Sequence, residues 1–217
     1  MEVKMFEVSG SNIRNQCYLI YQQRKGILVD PAWDYHLIND FLLDNRIMVK
    51  AVLLTHAHPD HIDLAADFAR NKGIPAYMSA EEIDKSGFSC PNLVSVRHLD
   101  TFTLADFNIT PILTPGHTSG STCFLLGPHL FTGDTVFIEG VGICDHRHAA
   151  LLFDSIQLLK AYLPGRTLIW PGHSFGDDPG QELRFLLKNN IYFQFEKKEE
   201  FIDFRMRKNR PNPFAFR

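Results

Sequence analysis

Residues 53–63 read LLTHAHPDHID, and positions 56–61 of that stretch carry His56, His58, Asp60 and His61. Three imidazoles and a carboxylate set so close would repel or compete unless one partner answers them all. A cation does so: it keeps the imidazoles neutral, satisfies the carboxylate and turns repulsion into coordination. The local geometry allows it. Side chains two apart on an extended chain point the same way, so His56 and His58 can converge on one point. Pro59 then ends the strand and suits the first turn of a helix, on which Asp60 and His61 face back across the strand end. The competing reading is four polar residues lining a solvated loop. It fits a lone histidine better than it fits H-x-H-x-D-H.

Further donors follow one grammar, an apolar strand ending in a glycine and then a ligand-type side chain. His117 stands in LTPGHTSGS, Asp134 in LFTGDT and His173 in LIWPGHS. Small residues at these points leave room for a close approach. Each signal is weak alone, and together with the opening motif they describe a metal centre of nitrogen and oxygen donors. That inventory suits zinc and also accommodates iron or manganese.

The elements that must position these side chains alternate along the whole chain. Strand patterns cover residues 5–8, 15–21, 26–30 and 49–56, with a helix at 35–46 and another from about 60 to 71, stopped by Lys72-Gly73. Strands follow at 93–97, 101–104, 107–113, 121–126, 129–132 and 167–170, with helices at about 149–162, 179–190 and 194–208. No linker or low-complexity run interrupts them. The expectation is one α/β (α+β) domain over 1–217, a four-layer arrangement of two mixed sheets flanked by helices. The helical segment at about 179–217 would complete the rim of the site.

Composition narrows the partners. A net charge of −3 gives no support to a general nucleic-acid binder. Glu2, Lys4 and Glu7 break up the N-terminus, so no signal-peptide core can be drawn there. No run approaches the roughly 20 apolar residues of a membrane span. A cytoplasmic protein without nucleic-acid or membrane partners is expected. Cys17, Cys90, Cys123 and Cys144 are far apart with no C-x-x-C pair, and read as reduced thiols.

The set H-x-H-x-D-H, GHT, GD and GH, in this order and with Asp30 in LVDP ahead of it, resembles the metallo-beta-lactamase superfamily. The resemblance implies an αββα sandwich with the site at one edge. It implies two zinc ions per chain: His56, His58 and His117 for the first, Asp60, His61 and His173 for the second, Asp134 bridging, and Asp30 behind them. The implied chemistry is attack of a metal-bridging hydroxide on an electrophilic carbonyl, with Asp60 also orienting the nucleophile. Within the superfamily the spacing is similar to glyoxalase II-like thioesterases. FDSIQLLK, PGHSFGDDPG, NNIYFQF and FRMRKN more closely resemble zinc-dependent hydrolases of bacterial polyketide biosynthesis clusters. The implied substrate is an acyl thioester on the phosphopantetheine arm of an acyl carrier protein or coenzyme A. The chain is short for the full substrate domain that accompanies glutathione thioesters. Mononuclear iron persulfide dioxygenases and lactonases share the motifs and are the rival functions.

Two clusters remain. The last helix begins with acids and ends with Arg205, Arg207, Lys208 and, beyond it, Arg210. The helix dipole favours that order without any ligand. Alternatively the bases meet the phosphate of the arm or an acidic carrier surface. CDHRH at 144–148 reads as a solvated loop near the mouth of the site, where His146 and His148 could instead touch substrate or hold a third metal.

Overall fold

Period-two alternation sorts the apolar residues of the central strands onto two faces, and both faces are covered. Tyr18 and Ile20 pack inward with Ile27, Val29, Ala51 and Leu53, while their neighbours Cys17, Leu19, Leu28 and Val52 pack on the opposite side. A strand buried on both faces reads as a near-continuous apolar run, as YLI and ILV do here.

The computed structural model describes residues 1–10 and 13–208. The first sheet runs in sequence order: β1 (Glu2–Gly10), β2 (Ile13–Gln22), β3 (Lys25–Val29), β4 (Met48–Leu53), β5 (Ala76–Ser79) and β6 (Leu93–Val96). Its first three strands are antiparallel, and the later ones are parallel. Parallel pairing needs crossovers. They are α1 (Tyr35–Asp44), the pair α2 (Pro59–Ile62) and α3 (Ala65–Lys72), and α4 (Ala80–Ser86). The second sheet holds β7 (Phe102–Leu104), β8 (Phe107–Leu113), β9 (Thr122–Leu126) and β10 (His129–Gly133) as antiparallel neighbours. After α5 (Ala149–Tyr162), β11 (Leu168–Pro171) pairs parallel to β10, and the short β12 (Gln181–Glu182) closes that edge. The chain continues through α6 (Leu183–Asn189) and α7 (Lys198–Arg205).

Three apolar clusters make four layers. Phe107, Ile109, Phe124 and Phe131 of the second sheet meet Tyr18, Ile27 and Leu53 of the first. Ile38 of α1 and Phe68 of α3 cover the outer face of the first sheet, and Leu152, Ile156 and Phe201 cover the second. The expected αββα sandwich of two mixed sheets is the observed fold. All four cysteines are free thiols. Among the described residues no helix is long and apolar enough to cross a membrane.

The structure departs from the sequence expectation where distant groups intervene. One helix was expected over 60–71, but α2 stops at Ile62 and α3 begins at Ala65. The Asn15 side-chain amide takes the Asp60 carbonyl that would continue the helix, and Leu64 N–H donates to Pro31 O instead at 3.1 Å. Gly73 does end α3, at φ 63° in the left-handed region. The helix expected over 179–190 begins only at Leu183, after β12. The one expected over 194–208 contracts to Lys198–Arg205, because Asn190 starts a separate turn at Ile191–Phe193 by accepting from Tyr192 N–H at 3.0 Å. β5 and α4 occupy a stretch in which the sequence pattern assigns no element.

Candidate metal centre

The donors arrive from strand ends at one edge of the two sheets. β4 ends at Leu53, so His56 and His58 stand in the loop beyond it rather than on the strand itself; His58 keeps an extended backbone (φ −72°, ψ 145°) before Pro59 opens α2. Asp60 and His61 lie on that turn. His117 sits in the β8–β9 loop, Asp134 just past β10 and His173 just past β11. The glycine before each is a steric requirement. A Cβ at Gly116 would lie 2.6 Å from Leu152 Cα, one at Gly133 would lie 2.2 Å from Thr55 Oγ1, and one at Gly172 would lie 2.5 Å from His61 Cε1.

All seven expected donors come together. His56 Nε2 and His117 Nε2 lie 3.0 and 2.9 Å from His58 Nδ1. His173 Nε2 lies 3.4 Å from Asp60 Oδ2, and His61 Nε2 lies 3.6 Å from the same oxygen. Asp134 stands between the halves: Oδ1 is 3.4 Å from His61 Nε2, and Oδ2 is 3.4 Å from His173 Nε2 and 3.5 Å from His117 Nε2. Three sets could each hold an ion: His56–His58–His117, His56–His61–Asp134 and Asp60–His61–His173, with the donor atoms of each within 4.8 Å of one another.

The surroundings fit cations. Asp30 accepts from Thr55 N–H at 2.8 Å, Thr55 Oγ1 at 2.6 Å and His61 Nδ1 at 3.0 Å. With its proton given to Asp30, Thr55 Oγ1 accepts from His56 Nδ1 at 3.0 Å. His117 Nδ1 donates to Ile143 O at 2.7 Å, and His173 Nδ1 donates to Arg14 O at 2.6 Å. These acceptors assign the proton to Nδ1 in four rings and leave Nε2 facing the centre. His61 Nε2 and Asp134 Oδ1 are buried with no hydrogen-bond partner although they face each other. Orphaned groups of that kind, aimed into one space, are what a cation would satisfy.

The electrostatics agree. Burial works to strip His61 of its proton, but Asp134 and then Asp30 prevail and hold its pKa well above the ordinary value. Burial likewise opposes, and Asp134 overcomes it, at His173, which is raised to about 10. Burial would raise Asp134, yet His173 and His61 hold its carboxyl well below the usual range. His56 and His58 are pushed down, first by burial and then by neighbouring imidazoles. Without a cation, protons on His61 and His173 therefore balance Asp134 and Asp60. A cation held by these donors would displace them, so zinc loading at neutral pH is expected to release about two protons per chain and to weaken as pH falls. An indicator titration in weak buffer measures this. Release of none would contradict the assignment.

A cavity of about 810 Å³ opens over the donors. Its wall includes Ile13, Arg14, Ile143, Ser174 and Phe175, none of which the sequence marked as site residues. Cys144, Asp145 and His148 of the CDHRH loop also line it, whereas His146 is exposed outside. His148 Nδ1 lies 3.0 Å from Asp145 Oδ1, within its own loop. His98 and His129 accept from Leu113 N–H and Trp170 Nε1–H, each as a structural residue.

Arg205, Arg207 and Lys208 do not line this cavity. Arg205 is buried and donates to Gly142 O at 2.8 Å, behind the loop that orients His117. Arg207 lies over the Phe204 ring, 3.8 Å from its centroid, and Lys208 is exposed. None of the described residues of 179–217 lines this cavity. Arg210 and the NPF tripeptide at 212–214 lie outside the described residues.

The family profile of the Metallo-beta-lactamase superfamily matches residues 13–173. "Probable polyketide biosynthesis zinc-dependent hydrolase BaeB" of Bacillus velezensis is 48% identical over 207 residues, covering 94% of this chain and 92% of that protein. A hydroxyacylglutathione hydrolase of Edwardsiella ictaluri is 34% identical over 173 residues, which cover 79% of this chain and 66% of the relative. A metallo-beta-lactamase structure from Staphylococcus aureus superposes with a TM-score of 0.86 at 26% identity, over 97% of this chain and 68% of the other. The matched segment begins at the first residue of β2 and ends on His173, so it spans every donor described above, and the chain belongs to the metallo-beta-lactamase superfamily.

Proposed function

We propose that the protein is a zinc-dependent hydrolase of polyketide biosynthesis that cleaves an acyl thioester carried on a phosphopantetheine arm. The observation that carries this reading is the convergence of seven nitrogen and oxygen donors on one open cavity, in a chain matched along 92% of BaeB. His56, His58 and His117 would hold one zinc, Asp60, His61 and His173 a second, and Asp134 would be shared. Bound there, the pair supplies Lewis acidity for a thioester carbonyl and lowers the pKa of water.

The chain's own residues do the rest. Burial opposes ionisation of Asp60, but His173 and His61 beside it hold its carboxyl below the ordinary value. It stays ionised, lines the cavity and accepts a hydrogen bond that orients the attacking water. Ile13, Ile143 and Phe175 present apolar surface at the mouth, 44%, 42% and 37% exposed, and shield an acyl group from water. Arg14 places a cation among them, which suits a phosphate. Arg207 and Lys208 are the proposed contacts for an acidic carrier protein.

A substrate panel tests this. Acyl-carrier and acyl-coenzyme A thioesters are expected to exceed S-lactoylglutathione and a lactone by at least about 10-fold in kcat/KM. Added salt should slow the carrier-bound substrate more than the small thioester. A protein that takes up one iron and consumes oxygen with a persulfide, and leaves every thioester intact, would overturn the hydrolase reading.

A further inference from the structure

Glu82 is a buried carboxylate on α4, 3% exposed, and it forms no ion pair with a lysine or arginine among the described residues. A carboxyl group so placed must be answered by hydrogen bonds. Its donors come from two loops that carry the three-imidazole half of the centre. Oε1 accepts from Ala57 N–H at 2.9 Å, and Ala57 is the residue between His56 and His58. Oε2 accepts from Thr118 Oγ1 at 2.7 Å and from Gly120 N–H at 3.0 Å, just past His117. The first loop leaves the first sheet and the second joins β8 to β9 of the other sheet, so one carboxylate spans both sheets at their shared edge.

The clasp is closed on its other side too. Ser79 Oγ accepts from Glu82 N–H at 3.2 Å and donates to Gly120 O at 2.6 Å. Gly120 sits so close that a Cβ there would lie 2.1 Å from Glu82 N. The other half of the centre hangs from different anchors: His61 from Asp30 and His173 from Arg14 O.

We infer that Glu82 is a positioning residue for the first metal: by locking the His56–His58 loop to the His117 loop, it sets the spacing of those three imidazoles and leaves the Asp60–His61–His173 half unaffected. This rests on the proposal that the three imidazoles hold a cation. Losing such outer support costs roughly 10–100-fold in metal affinity.

The test is zinc titration against a chelator on stripped protein, read separately from activity. In a His173→Ala background, the tighter remaining equivalent reports the three-imidazole site. Adding Glu82→Gln should weaken it by about 10–100-fold. In a His117→Ala background, the same Glu82→Gln should leave the remaining equivalent within about 3-fold, because Glu82 bonds none of Asp60, His61 and His173. Thr118→Val, which keeps the carboxylate and removes one donor, should give a smaller loss in the first background only, and it covers the case in which Glu82→Gln fails to fold. Equal weakening in both backgrounds would assign Glu82 a merely structural role, and no weakening in either would also overturn the inference. If wild-type protein binds no zinc, the underlying site assignment fails instead, a result distinct from all of these.

Discussion

Asp134→Ala is expected to abolish turnover while the sandwich stays folded. Asp134 faces both halves of the centre, within 3.4–3.5 Å of His61, His117 and His173. Loss of a single preorganised electrostatic group costs about 10²–10³-fold in rate. A residue shared by both halves belongs at the top of that range or beyond it. The fold should persist because none of the three apolar clusters includes Asp134. The His173 proton, held to about 10 chiefly by Asp134, should also be released nearer neutral pH. Thioester hydrolysis, zinc content and far-ultraviolet circular dichroism on matched proteins check the prediction. A near-normal rate in the variant would mean that the centre is elsewhere.

Gly172→Ala should act almost as strongly through a single methyl group. The new Cβ would lie 2.5 Å from His61 Cε1 and 2.6 Å from Asp134 Oδ1. The backbone cannot retreat: Gly172 N–H donates to Gly133 O at 2.8 Å, and Gly172 O accepts from Gln16 N–H at 2.7 Å. Either His61 and Asp134 move or the two strand ends part. Overpacking of this kind costs about 1–3 kcal/mol of stability. Displacement of two donors should in addition remove at least one zinc per chain. Gly165→Ala is the control, since its Cβ would meet only Arg184 Cβ at an ordinary 3.5 Å. Thermal melts and zinc stoichiometry of the two variants should separate clearly. A Gly172→Ala protein with full zinc and an unchanged melt would show that the crowding is relieved by movements too small to matter.

The donors were legible in the chain because their signal is local and chemical. H-x-H-x-D-H cannot be buried or crowded without a cation, and each later donor follows a glycine at the end of an apolar strand. The two-faced burial of β2, β3 and β4 was legible for a similar reason: alternation and apolar runs report on the backbone that carries them. Both kinds of signal act over a few residues.

What tertiary structure alone decided lies between segments far apart in sequence. Asn15 interrupts the helix after Asp60 from 45 residues away, a break that no local propensity encodes. Glu82 ties Ala57 to Gly120 across the two sheets, from a helix on which no ligand-type motif stands out. Ile13, Ile143 and Phe175 meet at one mouth only because the two sheets pack face to face and bring their ends together there. Arg205 looks in sequence like a free base at a helix end, yet packing turns it inward onto Gly142. Spacing along the chain set which atoms can bind a cation, since coordination chemistry belongs to the side chain. Packing of the two sheets set where those atoms stand and what holds them, since hydrogen bonds between loops form only when distant strands have been brought together.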